Sequence, residues 1–372
     1  MKNNIVLCFV LLISLYGFSQ AYEFKTVVDL DATDVISQDR TGTCWSFSTS
    51  SFLESEIIRL TGKRIDLSEM YSVRHTYHKK AWNYVMRQGK AQFGEGGLAH
   101  DVINSVSEFG IVPNSVYTGL MENETTHNHL KMVDSIKTIL DTYIKNPDDY
   151  TSNWQEDVDV VLNNHLGKDV ATFNYEGIQY TPESFLKMTT LNPEDYITIT
   201  SFNHAPYYSR FILNIPDNFS NGSFYNVPLD DMIMIMNHAL ENGFSIELDC
   251  DVSEKTFSSK NGIAVIPEDS SKNTEAMSTI QKEKVVTPEY RQQEFENYHT
   301  TDDHLMHITG ILKDQNGTIY YKVKNSWGSN PDHVNHGGYI YMSKTYMKLK
   351  AISVMIHKDA LTDGMSNQLR LN

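Results

Sequence analysis

The chain has 372 residues, 40% hydrophobic and 21% charged, which suffices for one large domain or two modest ones with a real core. Its 31 basic residues against 47 acidic ones leave a net charge of −16. An acidic chain lacks the positive field that phosphate binding needs, so no nucleic-acid partner is expected.

The first 21 residues read as a signal peptide. Lys2 gives a positive start, residues 5–18 are an apolar run, and Ser19-Gln20-Ala21 offers small residues for cleavage after Ala21, or after Ser19. No second run of spanning length follows, so the mature chain is expected to leave the membrane and be secreted or periplasmic. Two cysteines then remain, Cys44 and Cys250. That is no disulfide scaffold, and an unpaired cysteine in an exported protein calls for a role.

Residues 22–43 read as an extended lead-in ending in the turn-rich Asp39-Arg40-Thr41-Gly42-Thr43. A helix is predicted from Cys44, with Phe47, Phe52, Ile57, Ile58 and Leu60 on a mostly apolar face and Thr61-Gly62 as its stop. Leu67-Ser68-Glu69 opens a second helix. Gly94-Glu95-Gly96-Gly97 is a loop before a helical stretch over residues 98–109. The helical half is set at about 44–120. Residues 122–240 read as a polar, largely helical insertion. A strand-rich half follows over about 243–361, with Phe244-Ser245-Ile246-Glu247-Leu248 alternating and Asp314-Gln315-Asn316-Gly317 as a hairpin turn. Residues 362–372 are left as a tail. Helices first and strands second indicate an α+β fold.

Cys44 sits after a glycine-containing turn at a helix start, where free amide groups and the helix dipole favour a thiolate. A thiolate nucleophile needs a histidine, and the histidine needs a group to orient it. Gln38-Asp39-Arg40-Thr41-Gly42-Thr43-Cys44-Trp45-Ser46-Phe47 resembles the nucleophile segment of papain-like cysteine peptidases. His304, six residues before Gly310, resembles the family's histidine strand, and Lys324-Asn325-Ser326-Trp327-Gly328 its asparagine segment.

The resemblance implies a papain-like fold with the active site in a cleft between a helical half and an antiparallel β half. It implies Cys44 as nucleophile, His304 as base and acid, Asn325 as the group that orients the imidazole, and Trp327 as its shield. Gln38 and the Cys44 amide would form the oxyanion hole. Gly96 and Gly97 would pair with the substrate backbone. On a strand His304 and His307 point to opposite faces, and the Gly310 spacing selects His304. Asn237-His238-Ala239-Leu240 mimics a histidine signature but lies in an apolar-periodic helix.

The likeness is closest to the bleomycin hydrolase and aminopeptidase C branch. Asn163-Asn164-His165-Leu166-Gly167 and Tyr180-Thr181-Pro182-Glu183-Ser184-Phe185 are similar to its insertion, and Leu248-Asp249-Cys250-Asp251-Val252-Ser253 to a strand end in which Cys250 is a cleft-wall or core thiol. That branch implies peptide substrates, no cofactor and removal of N-terminal residues. Its members form six-membered rings and carry a C-terminal arm in the cleft. The lead-in and tail here look shorter than theirs, which leaves a homo-oligomer open, with an endopeptidase as the alternative activity and a non-catalytic peptide-binding scaffold behind it. Little room lies between Ala21 and Gln38 for an inhibitory propeptide, so activity without maturation is expected. His75-x-x-His78 and His333-x-x-His336 lack the companions of a zinc signature, so no metal is expected.

Overall fold

The computed structural model of the protein describes residues 20–371. Residues 1–19, and with them nearly all of the expected signal peptide, lie outside the described residues.

β1 (Lys25–Asp29) leads into α1 (Cys44–Thr61), which ends where Gly62 turns left-handed at φ 72° and returns its N–H to Ile58. α1 was expected to bury one face. Instead every residue from Cys44 to Ile57 is buried, so the helix is a central axle rather than a surface helix. Its many hydroxyls make this tolerable. They are small enough for close packing, and they find carbonyl partners: Ser46 Oγ donates to Glu69 O at 2.8 Å, Ser48 Oγ to Met306 O at 2.6 Å and Ser55 Oγ to Asp31 O at 2.8 Å.

α2 (Glu69–Met86), capped by Ser68 Oγ accepting from Tyr71 N–H, and α3 (Ala99–Phe109) pack on one side of α1. α4 (Leu130–Lys145) and α5 (Trp154–Leu166) add a layer through Ile136, Leu140, Val158 and Leu162, all fully buried. The helical reading of residues 122–240 then needs correction. β2 (Phe173–Tyr175) and β3 (Ile178–Tyr180) form a hairpin around Glu176-Gly177, both at positive φ. After α6 (Pro182–Thr189), the strands β4 (Tyr196–Thr200), β5 (Ser209–Ile212) and β6 (Ser223–Asn226) join the main sheet. The reason is visible in Tyr196-Ile197-Thr198-Ile199-Thr200, a β-branched run with no helical period.

α7 (Leu229–Glu241), β7 (Ile246–Cys250), β8 (Phe257–Ser258), β9 (Ile263–Ala264), α8 (Asn273–Ala276) and α9 (Pro288–Glu296) follow. Next come β10 (His304–Lys313), β11 (Ile319–Lys324), β12 (Tyr339–Ser343), α10 (Lys344–Lys350), β13 (Ala351–His357) and α11 (Asp363–Leu369). Ten strands run in the order β5-β6-β4-β13-β7-β10-β11-β12-β9-β8, and β1 pairs with β10 as the eleventh. The pairs are antiparallel except β4–β6 and β12–β9 near the margins.

The sheet has two unlike faces. The outer one is apolar: Leu248, Cys250, Met306, Ile308 and Val354 pack with Met232, Met236 and Leu240 of α7. The tail is not loose. Thr362 caps α11, and Leu361, Met365, Leu369 and Leu371 join this outer core, on the opposite face from α1. The inner face carries Glu247 and His307 against α1, where Glu247 Oε1 meets Ser48 Oγ at 3.3 Å and Ser51 Oγ meets His307 Nδ1 at 2.9 Å.

Candidate active site

The β10–β11 hairpin is antiparallel, so the start of β10 and the end of β11 lie at the same end of the sheet. The pairing of His307 with Lys324 sets the register, and His304 and Asn325 emerge together at the strand ends. Their side chains meet, with His304 Nε2 donating to Asn325 Oδ1 at 2.7 Å. That bond fixes the neutral tautomer and leaves the lone pair on Nδ1. The Trp327 ring lies 4.8 Å from the imidazole between centroids and is itself flanked by Phe257 at 5.9 Å. Trp327 is 41% exposed, and His304 beneath it only 4%.

Cys44 opens α1 beside this pair. The backbone N–H of Leu305, the residue after His304, lies close enough to the sulfur to favour its anion. Helix-start position suggested a thiolate, but burial overrides it and pushes the Cys44 thiol up to about 12. The Leu305 N–H opposes that rise, while Asp302, Asp217 and Asp249 add to it. Burial likewise holds the His304 imidazole down to about 4, against the pull of Asn325. A lone thiolate or a lone imidazolium is thus disfavoured. Transfer of a proton from the thiol to the imidazole would create both charges at once, and each would offset the other.

Gln38 is held by Ser326 from the other half and by Thr41 of its own segment. Its backbone N–H donates to Ser326 O at 2.8 Å, and its Oε1 accepts from Ser326 Oγ at 2.6 Å. Its Nε2 donates one proton to Thr41 O at 2.7 Å and keeps a second. That proton and the first N–H of α1 are the donors available to an oxyanion. Ser326 was not assigned a role from sequence; it locks the amide so that nitrogen, not oxygen, faces the site.

The glycine loop packs on the nucleophile segment. Trp45 Nε1 donates to Glu95 O at 2.9 Å, and a Cβ on Gly97 would stand 3.1 Å from the Trp45 ring. Gly96 differs from the expectation of a free backbone edge. Its carbonyl already accepts from the Lys80 ammonium, and a Cβ there would collide with the Asp217 carboxylate. Neither Lys80 nor Asp217 was singled out from sequence, because nothing in the spacing shows that they meet the loop.

Other candidates fall elsewhere. His75 Nε2 faces Asp169 at 3.3 Å, whereas His78 Nε2 faces Asp159 at 3.2 Å. The His336 ring stacks on Tyr341 at 4.0 Å. His238 Nδ1 reaches Ala360 O at 3.0 Å and ties α7 to the turn before the tail. Cys44 and Cys250 are both free thiols, and Cys250 is sealed in the outer core. Glu54, Asp66 and Glu69 bring carboxylate oxygens within 4.8 Å of one another. The Lys324 ammonium supplies positive charge to Glu54 and Glu69, and it donates to Thr33 Oγ1 at 2.9 Å and Ser51 Oγ at 2.7 Å. This group, buried except for the exposed Asp66, lines a cavity of about 350 Å³ between the halves and bridges them.

Comparison with known proteins gives the family. The model of the Peptidase C1-like family matches residues 162–371, a stretch that contains His304 and Asn325. Aminopeptidase C of Listeria innocua serovar 6a is 23% identical over 376 residues, covering 89% of this chain and 81% of its own. Aminopeptidase G of Lactobacillus delbrueckii subsp. lactis is 22% identical over 386 residues, covering 92% and 84%. The crystal structure of PepW from Lactobacillus rhamnosis HN001 superposes with a TM-score of 0.72 at 18% identity, over 93% of this chain and 85% of that one, so the two share a fold. The fold is papain-like and α+β, and the chain belongs to the Peptidase C1-like family as a cysteine-type peptidase.

Proposed function

We propose that the protein is a cysteine aminopeptidase with Cys44 as nucleophile, His304 as base and acid, and Asn325 and Gln38 in the supporting roles. The observation that carries the catalytic assignment is the 2.7 Å His304–Asn325 bond, made one residue before the Leu305 backbone that lies near Cys44. The Cys44 proton moves to His304 Nδ1 as Sγ attacks the carbonyl carbon. The oxyanion takes the free Gln38 amide proton and the Cys44 N–H. The imidazolium returns its proton to the amine nitrogen as the C–N bond breaks, leaving a thioester. Water then gives a proton to Nδ1 and attacks the thioester, and the acid leaves as Sγ is reprotonated. Asn325 keeps the ring in the tautomer that both steps need, and Trp327 shields their bond from water.

Removal of single N-terminal residues is favoured over internal cleavage by the filled space at Gly96, where a longer acyl-side chain would pair. The names of the listerial and lactobacillar relatives point the same way. Two fluorogenic substrates test this, one with a free α-amine and one acetylated. The expected result is cleavage of the free amine with little of the other. Equal or better cleavage of the acetylated substrate would make the protein an endopeptidase.

The substrates are peptides, and the acidic surface argues against nucleic acid. We also propose export, from the charge and apolar run at the chain start. Among the described residues no helix is long and apolar enough to cross a membrane. Gln20 O accepts from Ile280 N–H at 2.8 Å, and Ala21 O from Gln315 Nε2 at 2.6 Å. Cleavage after Ser19 would keep both bonds in the mature protein, and cleavage after Ala21 would remove them. N-terminal sequencing of exported protein should begin at Tyr22 or Gln20; an intact Met1 would refute signal cleavage.

A further inference from the structure

The loop between β5 and β6, residues 213–222, leaves the sheet edge and closes on the glycine loop. It is built to stay there. The Asn218 amide cross-links it, donating to Leu213 O and Gly222 O at 2.9 Å each and accepting from Gly222 N–H at 2.7 Å. Ser220 Oγ donates to Asp101 Oδ1 at 2.6 Å, at the start of α3, and meets His100 Nε2 at 2.9 Å. The Lys80 ammonium lies 5.2 Å from the centre of the Phe219 ring. These bonds hold Asp217 against Gly96, where Gln92 Nε2 donates to its Oδ1 at 2.9 Å.

Across the cleft, Asp249 of β7 lies beside Leu305 in the strand pairing, on the inner face. It is 1% exposed, and no N–H or hydroxyl group donates to it among the described residues. Its partner is the Asp302 carboxyl: the two hydrogen-bond each other, and burial pushes both upward, so in the absence of a cation the pair shares a proton. Arg291 acts on Asp249 through space but spends its donors on the carbonyls of Ser201, Lys348, Leu349 and Ile352. Such a pair can give up its shared proton once a cation arrives beside it, which makes it a place for one from outside.

We infer that this end of the cleft is an ammonium site, walled by Asp217 on the loop and by the Asp249–Asp302 pair on the sheet, and that it takes the α-ammonium of a peptide's first residue. The inference rests on the aminopeptidase reading and supplies its means of selection. It also links binding to chemistry. The three carboxylates that would hold the ammonium are the ones that oppose the Cys44 thiolate. A bound ammonium neutralises their field, so a substrate with a free N-terminus helps to activate the nucleophile that cleaves it.

The test uses the alanyl, acetyl-alanyl and acetyl-lysyl-alanyl amides of one fluorogenic amine, with wild type, Asp217→Asn and Asp249→Asn. Thermal denaturation checks each variant's fold, and Asp217→Asn alone carries the test if Asp249→Asn does not fold. The ratio of kcat/KM for the alanyl over the acetyl-alanyl substrate should fall more than threefold, and we expect at least tenfold. Alkylation of unliganded Cys44 should become faster in the same variants. A ratio within threefold of wild type overturns the inference while the aminopeptidase reading stands. Preference for the acetyl-lysyl substrate that is lost in Asp249→Asn also overturns it, since the site would then take a side-chain cation. A wild type that ignores the α-amine removes the reading itself.

Discussion

The two faces of the central sheet are made from the same strands and do different work. On β7, Ile246, Leu248 and Cys250 point into an apolar core, while Glu247 points under α1 and Asp249 lies on the same inner face. On β10, Met306 and Ile308 take the outer side, and Leu305 and His307 the inner. Both faces are buried, so exposure does not separate them. The outer face gains from removing apolar area from water, about 25 cal/mol per Å². The inner face carries carboxyls and imidazoles that burial pushes toward neutrality, Glu247 upward and His307 downward. The difference teaches that this fold holds a chemically costly surface in place by securing the opposite side of the same strands.

The comparison can be broken on either face. The largest effect should come from Cys44→Ala, which removes the nucleophile. We expect a fall in kcat of about four orders of magnitude or more, with the melting temperature nearly unchanged. Lys324→Met removes the cation that Glu54 and Glu69 face, and should cost about 3–5 kcal/mol in urea denaturation, because it strands buried carboxyls. A variant as stable as wild type would show that the inner face tolerates unpaired charge. Gln38→Ala should lower kcat about 10²–10³-fold with a small change in KM, the signature of a donor used in the transition state. On the outer face, Ile308→Val should cost only about 0.5–1.5 kcal/mol and leave kcat/KM per folded molecule alone. Lost activity there would mean that the two faces are coupled.

Sequence and structure part company where contact depends on the third dimension. The start of α1, the Gly62 stop, the turn at residues 314–317 and the opposed directions of His304 and His307 were all readable, because each is set by local spacing. The β4–β6 strands were passed over because they sit inside a polar stretch with helical neighbours, although Tyr196–Thr200 alternates. The alternation along residues 244–248 showed that β7 has a polar face, but not that α1 covers it. Helix position pointed to a thiolate, and only burial, which no single segment reveals, reverses that. Asp217 stands about 170 residues from Cys44 in sequence, and no periodicity predicts that its loop closes on Gly96.

The most direct test of the account is to trap the covalent intermediate. An activated acyl ester would be mixed with the reduced protein at low pH, quenched in milliseconds, and the adduct mapped by peptide mass. The account predicts one acyl group per chain, on the peptide carrying Cys44, and none in Cys44→Ala. Acylation at Cys250, or turnover in Cys44→Ala at the wild-type rate, would contradict it.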